Sequence, residues 1–158
     1  MAGAEIIGAA VGVLLLILVG YFLIGSALTT AETVASAQKD ITLQNEARLQ
    51  TVFSMSAVYS SPDLTITIVN TGSETIGNFN HMDVYVTPSG GGSPEYHSFT
   101  TSGISYTGWN CTSISPDNIH PGMLDPDETM EIKIKYGLTP TAVSVSTAMG
   151  VTRFAYVL

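Results

Sequence analysis

The feature that most constrains this chain is an uncharged stretch from Ile6 to Ala31, bounded by Glu5 and Glu32. An α-helix rises 1.5 Å per residue, so about twenty apolar residues cross the ~30 Å hydrocarbon core of a bilayer. A cleavable secretory signal has a basic segment before a shorter apolar core, whereas no Lys or Arg precedes Lys39 here. A chain of 158 residues is also too short to surround so long an apolar rod. The stretch therefore predicts one transmembrane helix over about residues 6–31.

Small residues follow one face of this predicted helix. Gly8 and Gly12 have the GxxxG spacing, which lets two helix backbones approach closely in lipid. Glu5 lies beside the first turn, where a carboxylate complements the helix dipole and is able to pair with the amino group of a neighbouring chain. We therefore predict that Glu5, Gly8 and Gly12 contribute to helix assembly. The alternative is that glycine is simply frequent in membrane helices and that Glu5 lies in interfacial water.

After the apolar stretch the pattern changes from helical to β. Residues 26–53 contain neither Pro nor Gly and are rich in helix formers, so we expect a helical stalk to extend to residue 52. Beyond it, apolar residues alternate with polar ones in runs separated by Gly, Pro, Asn and Asp. A β-rich segment over 53–63 ends in a turn at 60–63. The further predicted strand segments are 64–69, 82–86, 97–101, 104–109, 130–136, 143–145 and 151–158, with 115–126 irregular.

Seven or eight short strands with no helix among them predict an all-β, immunoglobulin-like sandwich in residues 53–158, after a transmembrane α-helix and α-helical stalk in residues 1–52. Trp109 is expected between the two sheets, and an exposed aromatic contact with Tyr106 is the alternative. The last strand, unless it is paired, leaves an edge open to a partner strand.

Charge and cysteine content limit the possible partners. The chain has 13 acidic and 5 basic residues, and residues 51–158 hold nine carboxylates against three basic side chains. This balance argues against nucleic acid as a partner. Cys111 is the only cysteine, so no intrachain disulfide is possible. The abundance of Ser and Thr and the sequon at Asn110, Cys111 and Thr112 indicate an extracytoplasmic side, with Asn110 as the candidate glycosylation site.

No catalytic or metal-binding motif is present in the sequence. The histidines lack the spacing of a zinc site, and we expect all of them in surface or loop positions; they are His81, His97 and His120. The acidic residues at 125–128 lack the spacing of a calcium-binding EF-hand loop and are interpreted as a plain turn. There is no GxSxG, P-loop or GxGxxG motif. These absences predict a protein that is not an enzyme and needs no cofactor.

The order of the motifs resembles a known family. An apolar N-terminal helix followed by LTITIVNTGSETI at 64–76, HMDVYV at 81–86 and ISPDNIHPGMLDPDETMEIKI at 114–134 is similar to the archaellum accessory proteins F and G. These are relatives of archaeal flagellins in the stationary part of the archaellum. The stalk joined to a full sandwich favours F over G.

The resemblance implies a structural role. It implies a single-pass helix in the cytoplasmic membrane and an extracytoplasmic sandwich that binds S-layer protein or a partner accessory subunit, as a homo- or hetero-oligomer. Filament flagellins and pilins carry a basic leader that is cut to leave Glu at position five, whereas Glu5 has this position when counted from Met1 itself. That favours an accessory stator subunit. The alternatives are a flagellin or type IV pilin-like filament subunit, and an anchored module that binds a small solute or glycan.

Overall fold

The computed structural model describes residues 2–158, except the side chains of residues 2, 4 and 5. One long helix is followed by a short 3₁₀ helix and eight strands. The helix α1 covers Ala2–Gln50, and the 3₁₀ helix covers Phe79–His81. The strands are β1 (Phe53–Ser60), β2 (Asp63–Asn70), β3 (Asp83–Pro88), β4 (Glu95–Phe99), β5 (Gly108–Ser115), β6 (Thr129–Lys135), β7 (Pro140–Ser146) and β8 (Thr152–Tyr156).

Helix α1 is continuous over 49 residues, which confirms the predicted helix and stalk. It is long and apolar enough to cross a membrane, and its most apolar segment is not buried by any described part of the chain. The chain divides into two compact units, Met1–Leu43 and Gln44–Leu158. The last helical residues therefore belong to the same unit as the strands.

The strands form two antiparallel four-stranded layers. One layer has the order β1-β2-β6-β5 and the other β4-β3-β7-β8. The layers join through a short parallel pairing of β4 with β5, where Ser98 lies beside Gly108 and Phe99 beside Trp109. This arrangement confirms the predicted fold, an apolar N-terminal helix followed by an all-β sandwich.

The core lies between the layers because alternate residues of each strand point inward. In β2 and β6 the register places Ile66 beside Ile132, and both side chains are fully buried. Trp109 is also buried, as predicted. Its ring packs against Phe99, with ring centroids 4.8 Å apart, whereas Tyr106 is exposed. The clear two-residue period of β2 and β6 in the sequence reflects this single buried face.

Two local predictions are wrong. Strand β5 begins at Gly108 and runs to Ser115, whereas the sequence predicted a strand over 104–109. After the buried Trp109, β5 is mostly polar and lacks apolar alternation, and its backbone pairs with β6. His97 is buried inside β4, not on the surface as expected. His81 and His120 are exposed, as predicted.

The two outer strands of the sheet, β1 and β8, meet at one point. Ala57 and Val157 form a parallel bridge. The amide of Leu158 donates to the carbonyl of Ala57 at 3.0 Å, and the amide of Tyr59 donates to the carbonyl of Leu158 at 3.2 Å. The backbone at residues 157 and 158 is therefore paired with β1. The open strand edge predicted from the sequence is restricted to the part of β8 that precedes these residues.

Candidate functional site

The proposed assembly face of α1 is open. A Cβ atom built on Gly8 or Gly12 would meet no described atom within 4 Å. The side chain of Glu5 lies outside the described residues. Close helix packing through Gly8 and Gly12 therefore stays a prediction, and so does the role of Glu5.

The end of α1 is hydrogen-bonded into the sandwich. Only Thr51 and Val52 separate the helix from β1. The carbonyl of Gln50 accepts hydrogen bonds from the amides of Ser73 at 3.1 Å and Glu74 at 3.4 Å. The carbonyls in the last turn of a helix have no intrahelical partner, so the turn that follows β2, here called the junction turn (residues 70–74), caps α1 at Gln50.

Gly72 makes this capping possible through its lack of a side chain. A Cβ atom at Gly72 would collide with the carbonyl oxygen of Gln50 and the amide nitrogen of Val52. The carbonyl of Val52 also accepts a hydrogen bond from the amide of Thr71 at 2.9 Å. The junction turn therefore lies directly against the backbone that leaves the helix.

Asn70 holds the junction turn in shape. Its side chain is fully buried, and its Nδ2 donates to the carbonyls of Glu74 at 2.8 Å and Leu124 at 3.0 Å. Its Oδ1 accepts from the amide of Gly72 at 3.0 Å. One side chain thus connects the junction turn to the segment that precedes β6.

The acidic turn at 125–128 is bonded to protein groups. Asp125 accepts hydrogen bonds from the Thr75 hydroxyl, the His120 amide and the His120 ring, each at 2.8 Å. Burial by itself raises the pKa of Asp125, but these bonds together outweigh it and hold the pKa below its ordinary value. Glu128 accepts from the amides of Asn118 and Asp125. Among the described residues, no group of three or more His, Cys, Asp or Glu side chains is arranged to hold a metal.

Three other titratable groups of the sandwich, His97, Cys111 and Tyr136, are kept neutral. Burial lowers the pKa of His97, partly opposed by Glu95. Burial and then Glu95 raise the pKa of Tyr136, whose ring packs edge-on against His97, to about 12. Burial also raises the pKa of the Cys111 thiol, which disfavours the reactive thiolate. These groups are therefore suited to a structural role.

Asn110 lies in β5 and is half-buried. Its Nδ2, the atom to which an N-linked glycan is attached, donates to the carbonyl of Thr100 at 2.7 Å. A glycan there has to share or replace this hydrogen bond. Glycosylation of Asn110 stays a prediction.

A cleft opens where β1 and β8 begin. We call it the seam cleft; it has a volume of about 940 Å³. It is lined by the last turns of α1, the two residues before β1, and the chain that enters β8; these residues are Asn45, Arg48, Leu49, Thr51, Val52, Gly150, Val151, Thr152 and Arg153. Sequence reasoning missed this site, since Arg48 and Arg153 are far apart in the chain and belong to no motif.

The fold defines the class of this protein: an exposed apolar N-terminal helix attached to an eight-stranded β-sandwich. No protein-family model and no curated protein matches the sequence. A solved structure, the archaeal flagellum of Methanospirillum hungatei strain JF1, aligns with a TM-score of 0.63 at 13% identity, over 94% of this chain and 89% of that chain. At this identity the similarity shows the fold, which is the fold that the resemblance to flagellin relatives predicted.

Two further similarities are to stator proteins of Sulfolobus acidocaldarius. The archaellum periplasmic stator protein FlaG aligns with a TM-score of 0.48 at 19% identity, over 65% of this chain and 97% of that chain. The stator complex of FlaF and FlaG aligns with a TM-score of 0.47 at 19% identity, over 65% of this chain and 81% of that chain. With TM-scores below 0.5, neither supports a further conclusion.

Proposed function

We propose that this chain is a membrane-anchored structural stator subunit of the archaellum. Helix α1 crosses the cytoplasmic membrane once, and the sandwich lies on the extracytoplasmic side. There it binds S-layer protein or a partner accessory subunit and holds the motor in the envelope. The order of sequence motifs and the fold shared with an archaeal flagellum support this role.

The observation that carries the proposal is the way the helix enters the sandwich. A stationary part must transmit force, which a long flexible linker does poorly. Here only two residues separate α1 from β1, and the carbonyls of Gln50 and Val52 are hydrogen-bonded to the junction turn. Force on the sandwich is thus passed to the helix through ordered backbone.

The test is deletion of the gene, followed by a swimming assay and electron microscopy. We expect cells that assemble filaments but do not swim, and rescue by the full chain. The matched variant replaces the apolar stretch at 6–31 with a cleavable secretion signal, so that the sandwich is released from the membrane. This variant is expected not to rescue swimming. Normal swimming after deletion, or rescue by the released sandwich, would overturn the stator role.

A filament subunit is the second candidate, because the similarity to the Methanospirillum hungatei flagellum covers nearly the whole chain, including the helix. In that role the open face at Gly8 and Gly12 packs into a helical filament core. Purified full chain that polymerises, together with cells that lose their filaments on deletion, supports this candidate. A chain that stays soluble in detergent as a small oligomer supports the stator.

A further inference from the structure

The seam between β1 and β8 is closed at one end and open at the other. Beyond the bridge at Ala57 and Val157, β1 and β8 have no ladder pairing within residues 2–158. The carbonyl of Val151 accepts a hydrogen bond from the amide of Thr147, just after β7, and the amide of Val157 donates to the carbonyl of Thr141 in β7. Because successive residues of a strand alternate in direction, Thr152 and Phe154 point their backbone groups away from β7, into the open seam. There the carbonyl of Thr152 accepts a hydrogen bond from the guanidinium of Arg153 at 3.1 Å, so a bound strand has to share or replace this bond.

The same alternation leaves free groups on β1. The carbonyl of Ala57 and the amide of Tyr59 point towards β8, so Phe53 and Met55 direct their backbone groups to that side as well. Within residues 2–158, no strand forms a ladder with either residue on that side. Two facing strand edges that lack a ladder partner form a template for a further strand.

The charge of the seam cleft is unusual for this chain. Arg48 and Arg153 are two of its five basic side chains, yet both line this one cleft and no lining residue is acidic. Within residues 2–158 neither arginine forms an ion pair. Covering two arginines is costly unless carboxylates accompany the covering group.

The outer side of the seam is apolar. Phe154, Tyr156 and Leu158 are 67%, 70% and 85% exposed, and the first two rings pack edge-on with centroids 5.8 Å apart. Val58 of β1, at the closed end of the seam, is also exposed. Exposed aromatic and aliphatic side chains beside a free strand edge are features of a binding surface.

We propose that the open seam binds an extended, carboxylate-bearing strand of a different protein. The strand adds to the free edge of β8, its carboxylates face Arg48 and Arg153, and its apolar side chains cover Phe154 and Tyr156. The inference rests on the proposed function only in expecting a protein partner.

A second copy of this chain does not supply such a strand. Every described strand other than β1 and β8 has a neighbour on both sides, and neither β1 nor β8 contains Asp or Glu. Pairing of two β8 edges would also supply no carboxylate to Arg153 of either copy. Charge therefore favours a partner that differs from this chain.

The first test uses labelled eight-residue peptides and the full chain in detergent micelles. In one peptide valine alternates with threonine and glutamate, and in the matched peptides glutamine or lysine replaces glutamate. Measured by fluorescence anisotropy, the glutamate peptide is expected to bind most tightly. Arg153→Glu is expected to weaken it about tenfold or more, whereas the control Lys39→Glu, with the same charge change outside the cleft, leaves binding unchanged. Equal binding of the three peptides, or equal effects of the two variants, overturns the proposal.

The second test is hydrogen exchange of the free chain and of the chain with the glutamate peptide. The amides of Thr152 and Phe154 are expected to exchange fast in the free chain and to become protected on binding. Protection already present in the free chain means a closed seam and overturns the proposal. Neither test depends on swimming. A negative result in the swimming assay therefore does not affect these two tests, and a seam that binds no strand does not affect the swimming assay.

Discussion

Replacing Asn70 tests whether the junction turn is held by a single side chain. Asn70→Ala removes three hydrogen bonds, to the carbonyls of Glu74 and Leu124 and from the amide of Gly72. At a net value of ~1 kcal/mol per bond, we expect a loss of about 3 kcal/mol in the free energy of unfolding. For a sandwich with an m-value of ~1.5 kcal/mol per M, the urea midpoint falls by about 2 M.

The assay is urea unfolding of the full chain in detergent, followed by the fluorescence of Trp109. This is the only tryptophan, and it is fully buried, so its emission reports unfolding of the sandwich. The control is Asn118→Ala, since Asn118 is exposed and is expected to change stability by less than ~0.5 kcal/mol. Asn70→Asp keeps the acceptor for Gly72 but places an oxygen against two carbonyls, so it should be no milder than Asn70→Ala. The reasoning is refuted if both Asn70 variants unfold at the same urea concentration as Asn118→Ala.

The remaining predictions concern the junction, the buried histidine and the anchor. Gly72→Ala should lower the urea midpoint, because the added Cβ collides with the backbone that leaves α1. Burial lowers the pKa of His97, so the folded chain binds fewer protons than the unfolded chain just below the ordinary value of about 6.5. Stability in urea is therefore full above that pH and falls as the pH decreases below it. Gly8→Leu combined with Gly12→Leu should reduce crosslinking between anchors in the membrane while leaving insertion intact.

Each of these predictions has a matched control. Gly137→Ala adds the same atom where only an ordinary contact with Tyr106 is met, and it should be nearly neutral; an equal effect at both glycines contradicts the junction geometry. The His97→Leu variant should lose the part of the low-pH decrease in stability that His97 causes. The His81→Leu variant, changed at an exposed position, should show the same decrease as the unchanged chain. Gly25→Leu lies off the row of Gly8 and Gly12, and crosslinking reduced equally by this change points to a general effect of bulk.

The predictable parts of this protein are those in which a local pattern reports the environment directly. An uncharged stretch long enough to cross a bilayer is predictable as an exposed apolar helix, because the rest of a short chain is too small to bury it. Strands β2 and β6 were predictable since one face of each packs in the core and the other faces outward. The bounds of β5 were not predictable, because its residues after Trp109 are mostly polar and show no alternating pattern, although their backbone pairs with β6.

The candidate sites also fall into those that a local sequence pattern predicts and those that only the tertiary structure shows. The sequence alone determined the long apolar N-terminal helix and the change from a helical to a β pattern near residue 53. It also predicts the packing face at Gly8 and Gly12, which stays a prediction. Only the tertiary structure decided that Gln50 is capped by the junction turn, that His97 is buried, and that Arg48 and Arg153 line one cleft. The physical reason is that helix and strand periods are local properties of consecutive residues. Capping across a turn and the meeting of the first and last strands depend on how the whole sheet closes.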